Sequence, residues 1–290
     1  MQNALSYASH FPQIFIVDNS EGDNSSLASQ IPNAKYIANG KNLGIAKALN
    51  QGIEAAIGEN SKGKDYRWVM TMDQDSGWKK EQLEKYIALC IEQSEQDDAI
   101  KSFAPTERNV SAVNHSTLGF WKRKLYKLIT RKEYNEKVQL GFVDRTLTSG
   151  NVIEIGAWQK VGRFEEVLFI DEVDHDFCYR LREGGFKILK SEIVLRHEIQ
   201  DSGKRNFLPY DLSKGSSMRL FYIFRNRFFT AKKYPWAAKE FHYKARTLRL
   251  AIRTCVFDKK AFSNIKILIR AHKDYRQTLL PLIKASRQKG

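Results

Sequence analysis

Asp73-Gln74-Asp75-Ser76 stands directly after the hydrophobic run Trp68-Val69-Met70-Thr71-Met72. Two carboxylates one residue apart, at the carboxyl end of a strand, suit a divalent cation that carries a diphosphate. Mg2+ and Mn2+ take oxygen ligands and share sites between one or two carboxylates and substrate phosphates. Open α/β sheets bind ligands at that edge. Asp-x-Asp also occurs in ordinary surface turns, so the pair gains meaning only from its surroundings.

Four other polar groups end strands or open helices in the same way. Val17-Asp18-Asn19-Ser20 closes an apolar run, and Asn39-Gly40-Lys41-Asn42-Leu43-Gly44 precedes a helical stretch. Phe169-Ile170-Asp171-Glu172-Val173-Asp174-His175-Asp176 opens a helix that reaches Arg180-Leu181-Arg182, and His197 follows a short strand. Each has a plainer reading. Asp171 and Asp174 suit the first turn of a helix, His197 a strand end, and Asp18 and Asn19 a turn.

The elements that must position these groups alternate. Gln13–Val17, Ala34–Ala38, Arg67–Met72 and Ala99–Ala104 read as strands. Ser25–Gln30, Ile45–Ile57 and Lys80–Gln93 read as helices between them, with Ile45, Leu49, Ile53 and Ala56 on one face of the second. From Glu107 to Leu140 the rhythm breaks into a basic, aromatic insertion containing Trp121-Lys122-Arg123-Lys124. Strand character returns over Phe142–Ile155. A helix over Glu172–Glu183 and strands over Phe186–Leu189 and Ile193–Arg196 follow. Strands alternating with helices imply a doubly wound, mostly parallel α/β sheet.

The chain's 290 residues, 42% hydrophobic and 28% charged, have a globular composition. No run approaches the roughly 18 apolar residues that span a bilayer. Met1-Gln2-Asn3-Ala4-Leu5 has no basic segment followed by an apolar one, so no signal peptide is expected. Cys90, Cys178 and Cys255 are few and far apart, which fits a reducing cytoplasm and neither a disulfide framework nor a zinc site. The formal charge of +15 is concentrated. Residues 219–290 hold 19 Lys+Arg against 3 Asp+Glu, which leaves the rest near neutral. Basic residues interleaved there with Phe221, Phe228, Trp236, Leu248 and Ile252 predict amphipathic helices on an anionic membrane surface. Nucleic acid is the less favoured partner, and a merely basic helical subdomain is the plain alternative. The expected organisation is an α/β domain over 1–218 and a basic helical extension over 219–290.

Taken in order, these motifs resemble glycosyltransferase family 2 of the GT-A fold, and within it the bacterial rhamnosyltransferase-like branch. The resemblance covers roughly residues 13 to 230. It is carried by Val-Asp-Asn-Ser, Asn-x-Gly-Ile-Ala-x-Ala-Leu-Asn-x-Gly from Asn42, Asp-Gln-Asp-Ser, Thr148-Ser149-Gly150, Phe-Ile-Asp-x-Val-Asp from Phe169, and Tyr222-x-x-Arg225-Asn226.

The resemblance implies transfer, with inversion, of a sugar from a nucleotide-sugar to a glycan or lipid-linked acceptor at the cytoplasmic face of a membrane. L-Rhamnose from dTDP-rhamnose is the donor it favours. It implies Mg2+ or Mn2+ on Asp75, with His197 as a second ligand. Asp73, Asp18, Asn19, Asn42 and Arg225 fall on the donor side, and Ser149 and Gly150 on the acceptor side. Asp174 is the implied base, with Asp171 as the competing choice; counting back from Arg180 puts Asp174 and Asp176 on the family's paired acidic positions.

Family members usually begin with a further strand that ends in a Thr-Tyr-Asn-like turn. This chain starts in what resembles the helix after it, with Leu5, Tyr7, Ala8 and Phe11 as that helix, so an unpaired strand edge is expected. Gln200, where the family commonly has Gly, is a smaller departure. A remnant that keeps the fold without binding a donor, and a binding protein that acts through its basic tail, are the alternative functions.

Overall fold

A computed structural model describes residues 2–109, 140–197, 217–256 and 260–287. Trp121-Lys122-Arg123-Lys124 and Gln200 lie outside these residues. The described residues fall into two compact units. One holds 2–109, 140–169 and 173–197; the other holds 170–172, 217–256 and 260–287.

The first unit begins with a short helix α1 (Gln2–Leu5) and a 3-10 turn (Ala8–His10). Strand β1 (Ile14–Asp18), short helix α2 (Ser25–Ala28) and strand β2 (Ala34–Ala38) follow, and β1 and β2 pair in parallel. Helix α3 (Ile45–Asn60) comes next and buries Ala46, Asn50, Ile53 and Ala56; of the face its apolar spacing predicts, Ile53 and Ala56 are buried and Ile45 and Leu49 are half-buried. It ends where Asn60 turns back on Tyr66 through two side-chain hydrogen bonds of 2.7 and 2.9 Å.

The larger sheet contains β3 (Trp68–Thr71), β4 (Ser76–Gly77), β5 (Ile100–Asn109), β6 (Gly141–Phe142), β7 (Asn151–Glu154) and β8 (Lys187–His197). Its order is β3-β7-β5-β8-β4, with β6 added against β8. The β5–β8 ladder is parallel and β7 lies antiparallel to both β3 and β5, so β3, β5 and β8 all point one way. Among the described residues, β1 pairs only with β2 and β3 only with β7, so each has one edge without a strand partner.

Helix α4 (Lys80–Gln96) closes this sheet. Its Leu83, Tyr86 and Cys90 pack with Tyr7, Trp78, Phe103, Val152 and Leu195. Leu83 is fully buried, and a burial of that kind stabilises by about 2 kcal/mol. Trp78 stacks on Tyr86 with centroids 5.1 Å apart. The remaining helices of the unit are α5 (Ile155–Val161) and α6 (Val173–Glu183).

Three local expectations are corrected. The strand character read over Phe142–Ile155 resolves into two short strands, and a helix starts at Ile155 whose Ile155, Ala157 and Trp158 are buried. Phe186–Leu189 and Ile193–Arg196 are parts of one strand. The polar Ser191 that divides them in sequence is buried at a register shift, where Thr106 Oγ1 donates to its carbonyl at 2.7 Å. Strand β5 also runs on through Glu107, the residue at which the irregular insertion is expected to begin.

The second unit is helical: α7 (Ser217–Lys233), α8 (Pro235–Glu240), α9 (Tyr243–Val256), α10 (Ala261–Asp274) and, after a π-turn, α11 (Leu280–Arg287). Leu220, Phe224 and Ala271 form its core, flanked by Phe221, Phe228, Leu250, Ile267 and Leu268. No helix among the described residues is long and apolar enough to cross a membrane.

One glycine controls how a site loop meets the unit. Gly44 has φ +86°, and a Cβ there would lie 2.6 Å from the Phe169 ring and 2.7 Å from the Phe169 carbonyl. That carbonyl accepts from the Ile45 N–H at 2.8 Å. Gly44→Ala combines left-handed strain with a backbone clash and is expected to destabilise by about 3 kcal/mol, read as a lowered denaturation midpoint.

Candidate active site

The Asp73–Ser76 turn sits on a sheet edge built from three other segments. Thr71 ends β3, and its carbonyl accepts from the Gly150 N–H at 2.7 Å. The Thr71 hydroxyl donates to the carbonyls of Thr148 and Asn151. Asp73 N–H points at Ser149 Oγ at 3.4 Å. Gly150 has φ +71° and is packed against Pro105, Leu195 and Trp78, while Tyr86 donates its hydroxyl to the Gly150 carbonyl at 3.0 Å. Ser149, 76 positions beyond Asp73, and Gly150 are thus fixed against the carboxylate turn.

From below, the N-terminal residues support the same turn. Asn3 Nδ2 donates to the Gln74 carbonyl at 3.3 Å, and Trp78 N–H donates to Ser6 Oγ at 3.2 Å. Tyr7 is buried, and burial followed by the charge of Asp73 pushes its phenol up to about 12. Ser76 pairs in register with His197, which brings the His197 backbone one residue from Asp75. The side chain of His197 lies outside the described residues.

Asp174 lies in the first turn of α6, where its Oδ1 accepts the His175 N–H at 2.8 Å. The neighbouring acid differs. Asp176 is fully buried and bonded to Arg180 Nε at 3.0 Å, and Arg180 Nη1 goes on to the carbonyls of Val161 and Gly162. Asp176 and Arg180 therefore lock α6 to the end of α5. Asp171 belongs to the helical unit, with φ +60° and an ion pair to Arg219 at 3.4 Å.

Glu107 is the site residue that sequence reasoning missed. Burial pushes its carboxyl up to about 7, Lys190 opposes this, and the charges of Asp73, Asp174 and Asp75 add to it. Those three carboxylates therefore share one electrostatic neighbourhood. Among the described residues no three His, Cys, Asp or Glu side chains close on a common point. The region is an acidic edge, and carboxylates of this kind fit a cation completed by a ligand's phosphates.

The rise in the Glu107 carboxyl has a stability consequence. Between its ordinary 4.5 and about 7, the unfolded chain releases a proton that the folded chain keeps. Stability is unaffected below that window and falls as pH rises through it, by about 3 kcal/mol at the top. Glu107→Gln is expected to match the parent near pH 4 and to exceed it at pH 8 in urea denaturation without added metal.

The proposed donor-side loop is well ordered by its own polar groups. Burial raises the Asp18 carboxyl, but donors from Asn24, Tyr36 and Ser20 outweigh it and hold the group down at about 2. Asn19 Nδ2 donates to the Gly44 carbonyl at 3.1 Å, and Asn42 Oδ1 accepts the Gly44 N–H at 2.9 Å. Asn19, after the end of β1, and Asn42, in the loop before α3, thus meet at Gly44, and Asp18 orders the turn that follows β1. The Asn50 of the same motif is fully buried and grips both the N–H and the carbonyl of Phe164 at 2.9 Å.

Arg225, expected on the donor side, lies in the helical unit. It is 6% exposed, donates to Asn226 Oδ1 at 2.9 Å, pairs with Asp274 at 3.3 Å and lies over the Tyr222 ring. Asn226 in turn donates to the carbonyls of Ile170 and Asp171 at 2.7 and 2.8 Å. This geometry gives the Arg-Asn motif a structural task inside the helical unit, holding a segment in which Asp171 and Glu172 both have positive φ.

Long parallel strands with a two-carboxylate turn at the edge define a GT-A glycosyltransferase fold. Residues 5–148, about half of the chain, match the Glycosyl transferase family 2 profile, and the chain belongs to that family. It is 25% identical over 208 residues to a dTDP-rhamnosyl transferase, RfbF of Shigella flexneri. The match covers 71% of this chain, which spans 65% of that relative's length. In fold it is similar to the crystal structure of GalNAc-T7 with UDP, GalNAc and Mn2+, at 13% identity and a TM-score of 0.52, over 94% of this chain and 51% of that one.

Proposed function

We propose that this chain is an inverting glycosyltransferase that moves L-rhamnose from dTDP-rhamnose to a glycan or lipid-linked acceptor in cell-surface polysaccharide synthesis, on the cytoplasmic side of a membrane. The observation that carries the reading is that Ser149 and Gly150 meet the end of β3 beside Asp73, and that Asp73, Asp75 and, from the first turn of α6, Asp174 all bear on Glu107. The named activity of the Shigella relative supports the rhamnosyl donor, and the UDP and Mn2+ of the solved structure support a nucleotide donor with a metal.

Asp174 takes the proton of the acceptor hydroxyl. That oxygen attacks the anomeric carbon as its bond to the diphosphate breaks, which inverts the configuration. Asp75 and His197 would hold Mg2+ or Mn2+, which when bound stabilises the charge of the leaving diphosphate. Asp73 contacts the sugar or ribose, and Asp18, Asn19 and Asn42 serve the nucleoside. Ser149 and Gly150 face the acceptor.

Calorimetric titration of the folded chain with dTDP-rhamnose and with UDP-sugars, each with and without Mn2+, tests this. Mn2+-dependent binding that prefers the dTDP donor is expected. A folded chain that binds neither donor would sink the transferase reading and leave a fold-only remnant. A preference for a UDP-sugar would keep the class and replace the donor.

A further inference from the structure

Helices α9 and α10 pack inward through Tyr243, Thr254, Asn264 and Ala271, all buried, and Asn264 Nδ2 donates to the Thr254 carbonyl at 2.9 Å. The opposite face of α10 should be polar if it met only water. Instead Phe262, Ile265 and Ile269, at helical spacing, are 72%, 40% and 64% exposed. On α9, Leu248 and Val256 are 61% and 64% exposed. Lys266 and Lys273 stand among the first group and Arg249 beside the second, all exposed. Lys266 Nζ lies 4.6 Å from the centre of the Phe262 ring. Asp274, the one acid in the sequence of these two helices, is paired with Arg225.

Large apolar side chains ringed by Lys and Arg, on helices lacking any other acid, are the pattern of helices that lie in a bilayer interface. We propose that the outward face of Phe262, Ile265 and Ile269, continued by Leu248 and Val256, docks on an anionic lipid surface. The apolar groups enter the acyl boundary and the basic groups meet lipid phosphates. This deepens the proposed function, on which it rests only for the reason a membrane should be there. Nucleic acid would use the basic groups and leave the apolar ones in water. A second copy of the chain would bring one strongly basic helical unit against another, and their repulsion disfavours that pairing.

The test is co-flotation of the full chain with phosphatidylglycerol/phosphatidylcholine vesicles and with pure phosphatidylcholine vesicles. Two variants accompany it, Phe262→Ser with Ile269→Ser, and Lys266→Glu with Lys273→Glu. All four positions are exposed, and unchanged circular dichroism checks the fold. Binding to the anionic vesicles only is expected, falling about tenfold or more in each variant. Equal binding to both vesicle types, or binding that neither variant weakens, would overturn the proposal. So would duplex DNA binding that the Lys variant abolishes and the apolar variant spares, or a dimer in sedimentation that the apolar variant dissolves. Donor titration of the same variants separates this from the transferase reading. It should be unchanged, and failure of donor binding with vesicle binding intact would sink only the enzyme.

Discussion

Asp174→Asn is expected to lower kcat by a factor of about 100 to 10,000 while leaving donor affinity near that of the parent chain. The amide keeps the shape of the carboxylate and can still accept the His175 N–H that Asp174 accepts at 2.8 Å, so α6 keeps its first turn. What it loses is the ability to take a proton from the acceptor hydroxyl. The nearby acids provide contrasting controls. Asp176→Asn breaks the pair between fully buried Asp176 and the largely buried Arg180, so its expected effect is on the denaturation midpoint. Asp171→Asn removes one partner of Arg219 in the helical unit and should change turnover little. Release of the nucleotide diphosphate, measured against acceptor concentration, decides the assignment. Near-parental turnover in Asp174→Asn with a collapse in Asp171→Asn would make Asp171 the base.

Asp75→Ala is expected to weaken Mn2+-dependent donor binding by a factor of about 100 or more, since losing a ligand outranks the 10- to 100-fold cost of losing a group that merely orients one. Stability supplies an independent readout. Without a divalent ion, Asp75 is one of three carboxylates whose charges oppose ionisation of Glu107, so its removal relieves repulsion. The variant should then melt no lower than the parent in chelator. With Mn2+ and nucleotide, the parent should gain thermal stability by ligand linkage and the variant should not. Equal stabilisation of both chains would place the metal elsewhere.

Much of this protein was legible before any coordinates. A five-residue apolar run before Asp-x-Asp marks a strand and its end, and the apolar spacing through Ile53 and Ala56 marks part of the buried face of α3. These are local signals, because hydrophobic period and chain-stopping residues act within one element. The order of the motifs was enough to assign the family. The basic, aromatic end of the chain announced helices with charged faces.

Tertiary structure decided what depends on partners far away in sequence. Ser191 stands in the polar Lys190-Ser191-Glu192 break between two apolar runs, yet it continues a strand because β5 supplies its hydrogen bonds. Asp174 and Asp176 are alike in type and spacing, and only the burial of Asp176 against Arg180 tells the two apart. The partners of Arg225, Asp274 and Asn226, could not be read from its motif, since Asp274 lies 49 positions away. Glu107 carries no motif at all. Its elevated carboxyl comes from burial and from charges on two other segments, a sum of long-range fields that no local stretch of sequence contains.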